Sequence, residues 1–191
     1  MKRIVLAALL VFALVAGQAA TYQYDVIFAP EAVGATGSGT GSVVYNDVTH
    51  SLQMIANFSG LSGTVTVTHF HGPTGTPGTG TAGIAVGNPS LPSFPTGATS
   101  GSYNQTLDLT LTGSYNGTFL SNNGGTAAGA EAAFFNAMNQ GRIYWNIHSS
   151  TFGGGEIRGF LAAVPEPSSL ALFGLGAVLM AARCRKNRDQ V

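Results

Sequence analysis

Two histidines spaced two residues apart, His69 and His71, are the residues of this sequence best suited to chemistry. In a β-strand alternate side chains share a face, so both imidazoles would point the same way. Val65 and Val67 precede them at the same spacing, which predicts an apolar strand face that ends in the two histidines. Imidazole binds Zn and Cu well, so the pair is a candidate metal site. His148 would supply a third ligand if its strand lay beside theirs.

A second interpretation gives the same histidines a purely structural role. A buried imidazole needs a hydrogen-bond partner, and Gly72 and Pro73 begin a long loop whose backbone groups have no sheet to join. We favour this interpretation, with both rings near His148, polar contacts to loop backbone and a domain that folds without a cofactor. A Zn or Cu site is the alternative. Cu/Zn superoxide dismutase also has an H-x-H strand, but it needs more histidines and an aspartate, and only His50 remains here.

The segments around these residues have the composition of short β-strands joined by turns. Apolar and polar side chains alternate in residues 52–58 and, most cleanly, in residues 106–111. Glycine, proline, serine and threonine dominate the connections. The pattern favours an all-β, Greek-key antiparallel sandwich. Its seven predicted strands cover residues 22–28, 43–45, 52–58, 64–71, 106–111, 142–148 and 156–161.

Two segments carry more specific expectations. The apolar face of residues 142–148 centres on Trp145, which we expect to be in the core. Residues 127–140 have the only helical composition, and Gly141 is a suitable end for a helix. We therefore expect one short helix in the domain.

Composition and charge exclude several classes of function. The chain has 191 residues, of which 27 are glycine and 8% are charged, as is typical of a turn-rich extracellular β domain. Most basic residues lie in the two ends, so the middle of the chain keeps only Arg142 and Arg158 and is mildly acidic. Nucleic-acid binding needs clustered Lys and Arg, so we expect no such partner. The one cysteine, Cys184, cannot form an internal disulfide.

The N-terminus, residues 1–19, has the pattern of a secretory signal peptide. Lys2 and Arg3 are followed by an unbroken apolar run over residues 4–16. Small residues at Gly17 and Ala19 then fit a signal peptidase, so we expect cleavage after Ala19. An uncleaved anchor helix is the alternative, although the run is shorter than the ~20 residues that a membrane span needs.

The C-terminal segment, residues 164–191, carries the strongest pattern in the chain. Pro165, Glu166 and Pro167 precede an apolar run over residues 170–182, and a basic tail follows. The run can enter a bilayer as a transmembrane helix, and the basic tail favours the cytoplasmic side. The folded domain would then lie on the outer side. A plain membrane anchor is the alternative interpretation.

This segment closely resembles the PEP-CTERM sorting signal of Gram-negative bacteria. The resemblance implies that an exosortase recognises Pro165, Glu166 and Pro167, removes the tail and releases the domain. The protein would be anchored transiently in the inner membrane and would end at the cell surface or outside the cell. Such signals often occur in species that make exopolysaccharide, so exopolysaccharide or matrix is an expected partner.

Three further motifs, in order along residues 20–163, resemble the CHRD domain. They are T-H-F-H-G-P at residues 68–73, Y-W-N-I-H-S at residues 144–149 and G-E-I-R-G-F-L at residues 155–161. The family's acidic opening is poorly matched, and Pro30 and Glu31 are what remains of it. The resemblance implies an immunoglobulin-like β-sandwich without enzymatic activity, secreted or at the surface in bacteria.

The other motif residues are expected to have structural roles. Glu156 and Arg158 share a strand face, which predicts a surface ion pair worth about 0–1 kcal/mol. The alternative is that Arg158 clamps a carboxylate or carbonyl of a loop. The full structural set is Gly72, Pro73, Asn146, Gly155, Glu156, Arg158 and Gly159.

The sequence thus predicts an exported, non-catalytic surface or matrix protein. One alternative is a metal-binding or redox protein centred on His69, His71 and His148. Another is a carbohydrate-binding module that uses Tyr103, Tyr115 or the long loop. The sequence contains no nucleophile elbow, phosphate loop or Cys-His pair that would favour an enzyme.

Overall fold

The computed structural model describes residues 20–165. The predicted signal peptide, Glu166, Pro167, the apolar run and the basic tail lie outside the described residues. In the described range no helix is both long and apolar enough to cross a membrane.

The described chain is built mainly from antiparallel strands, with two short α-helices between β6 and β7. A single 3-10 turn at Thr112–Ser114 precedes the first helix. The strands are β1 Thr21–Pro30, β2 Ser38–Asn46, β3 Ser51–Ser59, β4 Val65–His71, β5 Ile84–Val86, β6 Gly101–Asp108, β7 Tyr144–Ser149, β8 Ile157–Phe160 and β9 Ala162–Ala163, and the helices are α1 Gly117–Asn122 and α2 Ala127–Asn139.

The strands form one curled sheet in the order β5-β4-β7-β8-β1-β2-β3-β6, with β9 beside β1. All pairings are antiparallel. Strand β1 joins the two halves, because most of it pairs with β2 while Ala29 and Pro30 pair with β8. The predicted all-β, sandwich-like fold is confirmed.

Trp145 lies at the centre of the core, as its position on an apolar strand face predicts. Its side chain is fully buried, and its ring contacts Phe28 at 5.4 Å and Phe70 at 4.9 Å between centroids. The indole N–H donates to the Thr68 hydroxyl over 2.8 Å. Aromatic contacts of this kind add to the burial energy of the rings, so β1, β4 and β7 are held together through one side chain.

Helix α2 occupies nearly the predicted range. Thr126 caps its N-terminus by accepting a hydrogen bond from the Gly129 amide, and Gly141 follows its end with φ of 64°. Helix α1 was not predicted. It is only six residues long, and Asn116 caps it by accepting from the amides of Thr118 and Phe119. So short a segment has no apolar periodicity to reveal it.

The strand predicted over residues 106–111 is wrong in its position. Strand β6 ends at Asp108, whose carboxylate accepts hydrogen bonds from the amide and hydroxyl of Thr110. The turn formed by these hydrogen bonds ends the pairing of β6 with its neighbouring strand. Leu109 is nevertheless buried, whereas Leu111 is 58% exposed. The alternation of apolar residues in the sequence therefore extends past the end of the strand into the turn.

Candidate metal centre

Strand β4 presents its histidines on the sheet face opposite the core. Its register with β7 shifts between Val65 and Thr68, which is the mark of a β-bulge. The bulge reverses the alternation, so that Val65, Thr68 and Phe70 are all buried on the core side, where Phe70 and the Thr68 hydroxyl contact Trp145. The expectation that His69 and His71 continue the face of Val65 was therefore wrong.

Strand β7 brings the third histidine beside the first two. His69 pairs with Asn146, and His148 follows two residues later on the same face. The ring centroids lie 5.0 Å apart for His69 and His148, 5.5 Å for His69 and His71, and 5.8 Å for His71 and His148. One nitrogen of each ring lies within 4.8 Å of the others. The predicted proximity of the three residues is confirmed.

Loop backbone covers the three rings and binds one nitrogen of each. His69 Nε2 lies 2.6 Å from the Pro89 carbonyl, His71 Nδ1 lies 3.0 Å from that of Ala82, and His148 Nδ1 lies 3.0 Å from that of Gly153. A carbonyl only accepts, so each of these ring nitrogens carries its proton and donates it. The predicted contacts to loop backbone are present.

The other nitrogen of each ring is free. His69 Nδ1, His71 Nε2 and His148 Nε2 are buried and have no hydrogen-bond partner within residues 20–165. Because an imidazole has two nitrogens, backbone contact and metal ligation do not exclude each other. A metal-binding histidine usually donates its second N–H to a carbonyl or carboxylate, which fixes the tautomer. All three rings have that arrangement.

Burial keeps two of the three rings, those of His69 and His71, neutral. It lowers the pKa of His69 to about 4, even though the Pro89 carbonyl raises it and the neighbouring histidines lower it further. Burial also lowers the pKa of His71, and the nearby His148 and Arg158 add to that effect. A neutral imidazole that donates through one nitrogen has a lone pair on the other. His69 Nδ1 and His71 Nε2 therefore each carry a lone pair in a buried position.

The spacing suits one metal ion. Three nitrogens bound to one Zn at about 2.0–2.1 Å lie roughly 3.4 Å from one another. The histidine nitrogens lie within 4.8 Å, so small side-chain movements would close the site. His50 is not part of it, because its Nδ1 contacts Glu131 at 2.9 Å. Within residues 20–165 the histidine cluster has no further histidine or aspartate of the kind that a dismutase site needs.

A second row of polar side chains lies beside the histidines on the same sheet face. Glu31 accepts a hydrogen bond from Asn146 Nδ2 at 2.7 Å and forms an ion pair with Arg158 at 3.1 Å. Arg158 also donates to the Gly80 carbonyl at 2.9 Å and lies over the Tyr144 ring, 4.8 Å from its centroid. The alternative interpretation, in which Arg158 clamps a loop carboxylate or carbonyl, therefore describes these contacts.

The predicted ion pair between Glu156 and Arg158 is wrong. Glu156 is fully buried, and its carboxylate accepts from the Ser62 amide at 2.5 Å, the Ser62 hydroxyl at 2.6 Å and the Gly63 amide at 3.3 Å. Burial by itself raises the pKa of Glu156, but the hydrogen bonds from Ser149, Ser62 and Gly63 outweigh it, and the pKa falls below its usual value. Glu156 thus fixes the turn before β4.

Three motif glycines stand where a side chain would not fit. Gly155 has φ of 128°, and a Cβ there would collide with the side chains of Glu31 and Asn146. A Cβ on Gly159 would collide with the backbone of β1, and one on Gly72 with Ile143 and the backbone before it. Pro73 follows at the start of the loop, and the Gly72-Pro73 peptide bond is cis. These residues shape the surroundings of the site.

Two features of the site differ from the sequence analysis. Tyr103 and Tyr115 are 4% and 1% exposed, so neither forms the stacking platform that a carbohydrate-binding module would need. Glu31 was named only as a remnant of the family's opening, yet it joins Asn146 to Arg158. That acidic residue beside Pro30 was the one signal in the sequence that could have identified it.

Comparison with known proteins gives two family matches. A family model described as the CHRD domain matches residues 19–161, and one described as the PEP-CTERM protein-sorting motif matches residues 163–186. The first covers more than half of the chain and spans all three histidines. No curated protein and no solved structure matches the chain.

Proposed function

The chain belongs to the CHRD domain family and ends in a PEP-CTERM sorting motif, and from this premise we propose that it is an exported protein whose domain binds one Zn or Cu ion. The sorting motif implies recognition by an exosortase, export and processing at a membrane. Neither family is defined by an enzymatic activity. The ligands in this proposal are His69, His71 and His148.

One observation carries the metal-binding part of the proposal. In each ring one nitrogen donates to a carbonyl and the other is buried without a partner, and one nitrogen of each ring lies within 4.8 Å of the others. A buried acceptor without a donor costs about 1–3 kcal/mol. Three such atoms in one place are accounted for by a cation that all of them bind. If the rings served only to fix the loops, three rings that each have a buried nitrogen without a partner would not need to cluster.

The same geometry favours binding over catalysis. The free nitrogens are shielded from solvent, whereas a catalytic metal keeps a coordination position open to water or substrate. We therefore propose that the domain is non-catalytic and uses the ion for storage, sequestration or stability. The redox alternative is not favoured, because His50 is held by Glu131 away from the cluster.

The metal content of the purified protein tests this function directly. Protein exported by its own host would be collected without added metal or chelator and analysed by elemental mass spectrometry. We expect about one Zn or Cu per chain in the wild type, and none in His148→Gln. The matched control is His50→Gln, which alters the one histidine outside the cluster and leaves the cluster intact. Wild-type protein that neither contains nor takes up either metal would refute the metal site.

The sorting proposal has separate support and a separate test. We propose a signal peptide at residues 1–19, a domain at residues 20–163 and a sorting segment at residues 164–191, with the mature protein at the cell surface or in a matrix that includes exopolysaccharide. The match to the sorting motif supports this organisation. Replacing Glu166 and Pro167 with Ala should leave the tail attached and the protein in the inner membrane. A variant that still reached the outside without its tail would contradict the proposal.

A further inference from the structure

We infer that the ion held by the three histidines is copper in its reduced, monovalent state. The inference rests on the proposed metal site and specifies its occupant. Three features of the described residues carry it: the number of ligands, the charge around them, and the way in which they are held.

The number of ligands favours an ion that is stable with three. The cluster consists of His69, His71 and His148, and within residues 20–165 it includes no carboxylate or thiolate. Zn in proteins is almost always four-coordinate, and Cu(II) prefers four or more ligands in a tetragonal arrangement. Water would have to supply the fourth ligand, but the free nitrogens are buried. Cu(I) has a filled d shell and accepts three nitrogens in a trigonal arrangement.

The charge around the cluster favours a single positive charge. Imidazole ligands add no negative charge, and a cation of the same sheet face, Arg158, lies over the Tyr144 ring. Tyr144 in turn stacks on His71 with ring centroids 5.0 Å apart and planes 6° from parallel. The negative charge of Glu31 is paired with Arg158 and not with the histidine cluster. The cost of moving an ion from water to a low-dielectric site grows with the square of its charge, so it is roughly fourfold larger for a dication than for a monocation.

The ligands are also held in a way that resists a change of geometry. His69 and His148 lie on adjacent paired strands, and each of the three rings is fixed by a carbonyl of a covering loop. Oxidation to Cu(II) would require new ligands in a different arrangement. A rigid three-nitrogen site therefore stabilises the reduced ion over the oxidised one.

Competition for Cu(I) and Zn(II) tests this inference. The full-length protein would be purified in detergent, stripped of metal with a chelator and titrated without oxygen at pH 7. Bicinchoninate would serve as the competitor for Cu(I), and a pyridylazo dye for Zn(II). We expect one Cu(I) per chain, and no loss of that Cu(I) in a tenfold excess of Zn(II). Changes to the partners of a ligand already cost about 10–100-fold in affinity, so loss of a ligand in His148→Gln should weaken Cu(I) binding by about 100-fold or more, whereas His50→Gln should leave it unchanged.

X-ray absorption of the copper-loaded wild type gives a readout that does not depend on how the variants fold. We expect an edge of Cu(I) and three nitrogen neighbours in the scattering, unchanged after exposure to air. Zn(II) that binds as tightly as Cu(I), or copper that is divalent with four or more ligands, would overturn the Cu(I) inference and leave the metal site standing. Failure of both ions to bind would overturn the site as well.

Discussion

Removing the Trp145 side chain should destabilise the domain more than any other single truncation in β7. The side chain is fully buried between Phe28 and Phe70, and its N–H is bonded to Thr68. Emptying such an aromatic site costs about 3–5 kcal/mol. For a domain of this size that corresponds to a fall in melting temperature of roughly 6–20 °C.

Trp145→Phe separates the two contributions. Phenylalanine keeps an aromatic ring in the core but loses the hydrogen bond from the indole to Thr68, whose hydroxyl still donates to the Asn146 carbonyl. The missing bond and the smaller ring should together cost about 1–3 kcal/mol. Trp145→Phe should therefore melt between the wild type and Trp145→Ala.

Thermal melting followed by far-ultraviolet circular dichroism measures both variants. Fluorescence is unsuitable, because Trp145 is the single tryptophan of the chain. Leu111→Ala is the matched control, since Leu111 is 58% exposed and its truncation should change the midpoint little. If Trp145→Ala melted within about 2 °C of the wild type, the central position of this residue would be refuted.

Three further predictions concern the polar residues around the histidines. The pKa of Glu156 is lower in the folded domain than in the unfolded chain, so its contribution should be present above pH 4.5 and be lost as the pH falls through the folded pKa. Melting temperatures against pH should show this acid loss in the wild type, and a lower but flatter profile in Glu156→Gln. Arg158→Gln should leave Glu31 without its cation and raise protease sensitivity near Gly80, measured by limited proteolysis; an unchanged cleavage pattern would contradict the clamp. Gly155→Ala should lower the melting temperature by several degrees, because its φ of 128° and the contact with Glu31 both disfavour a Cβ, and an unchanged midpoint would contradict the close packing.

The fold was largely predictable because alternation of apolar residues and turn chemistry are local signals. The core position of Trp145 and the range of α2 follow from periodicity and capping residues. The end of β6 could not be predicted in this way, because the side chain of Asp108 forms a turn while the apolar alternation continues in the sequence. The predicted strand face of the histidines was also wrong, since nothing in the local sequence pattern marks the bulge between Val65 and Thr68.

The candidate site was predictable in its members but not in its surroundings. The H-x-H spacing and the third histidine were sufficient to name the cluster. The partners of its neighbours depend on contacts between distant segments: Arg158 pairs with Glu31, and Glu156 bonds Ser62. Which nitrogen of each ring is free depends on the covering loops, and no sequence pattern specifies the positions of their carbonyls.

The effect of metal on thermal stability tests the central claim most directly. Wild-type protein stripped of metal should fold, and its midpoint should rise on addition of Cu(I) without oxygen. A ligand at 100 times its dissociation constant adds about 2.7 kcal/mol, which corresponds to roughly 5–11 °C here. His50→Gln should show the same rise, and His148→Gln should show none. A wild-type midpoint indifferent to both Cu(I) and Zn(II) would mean that His69, His71 and His148 serve only to hold the loops, and would contradict the account.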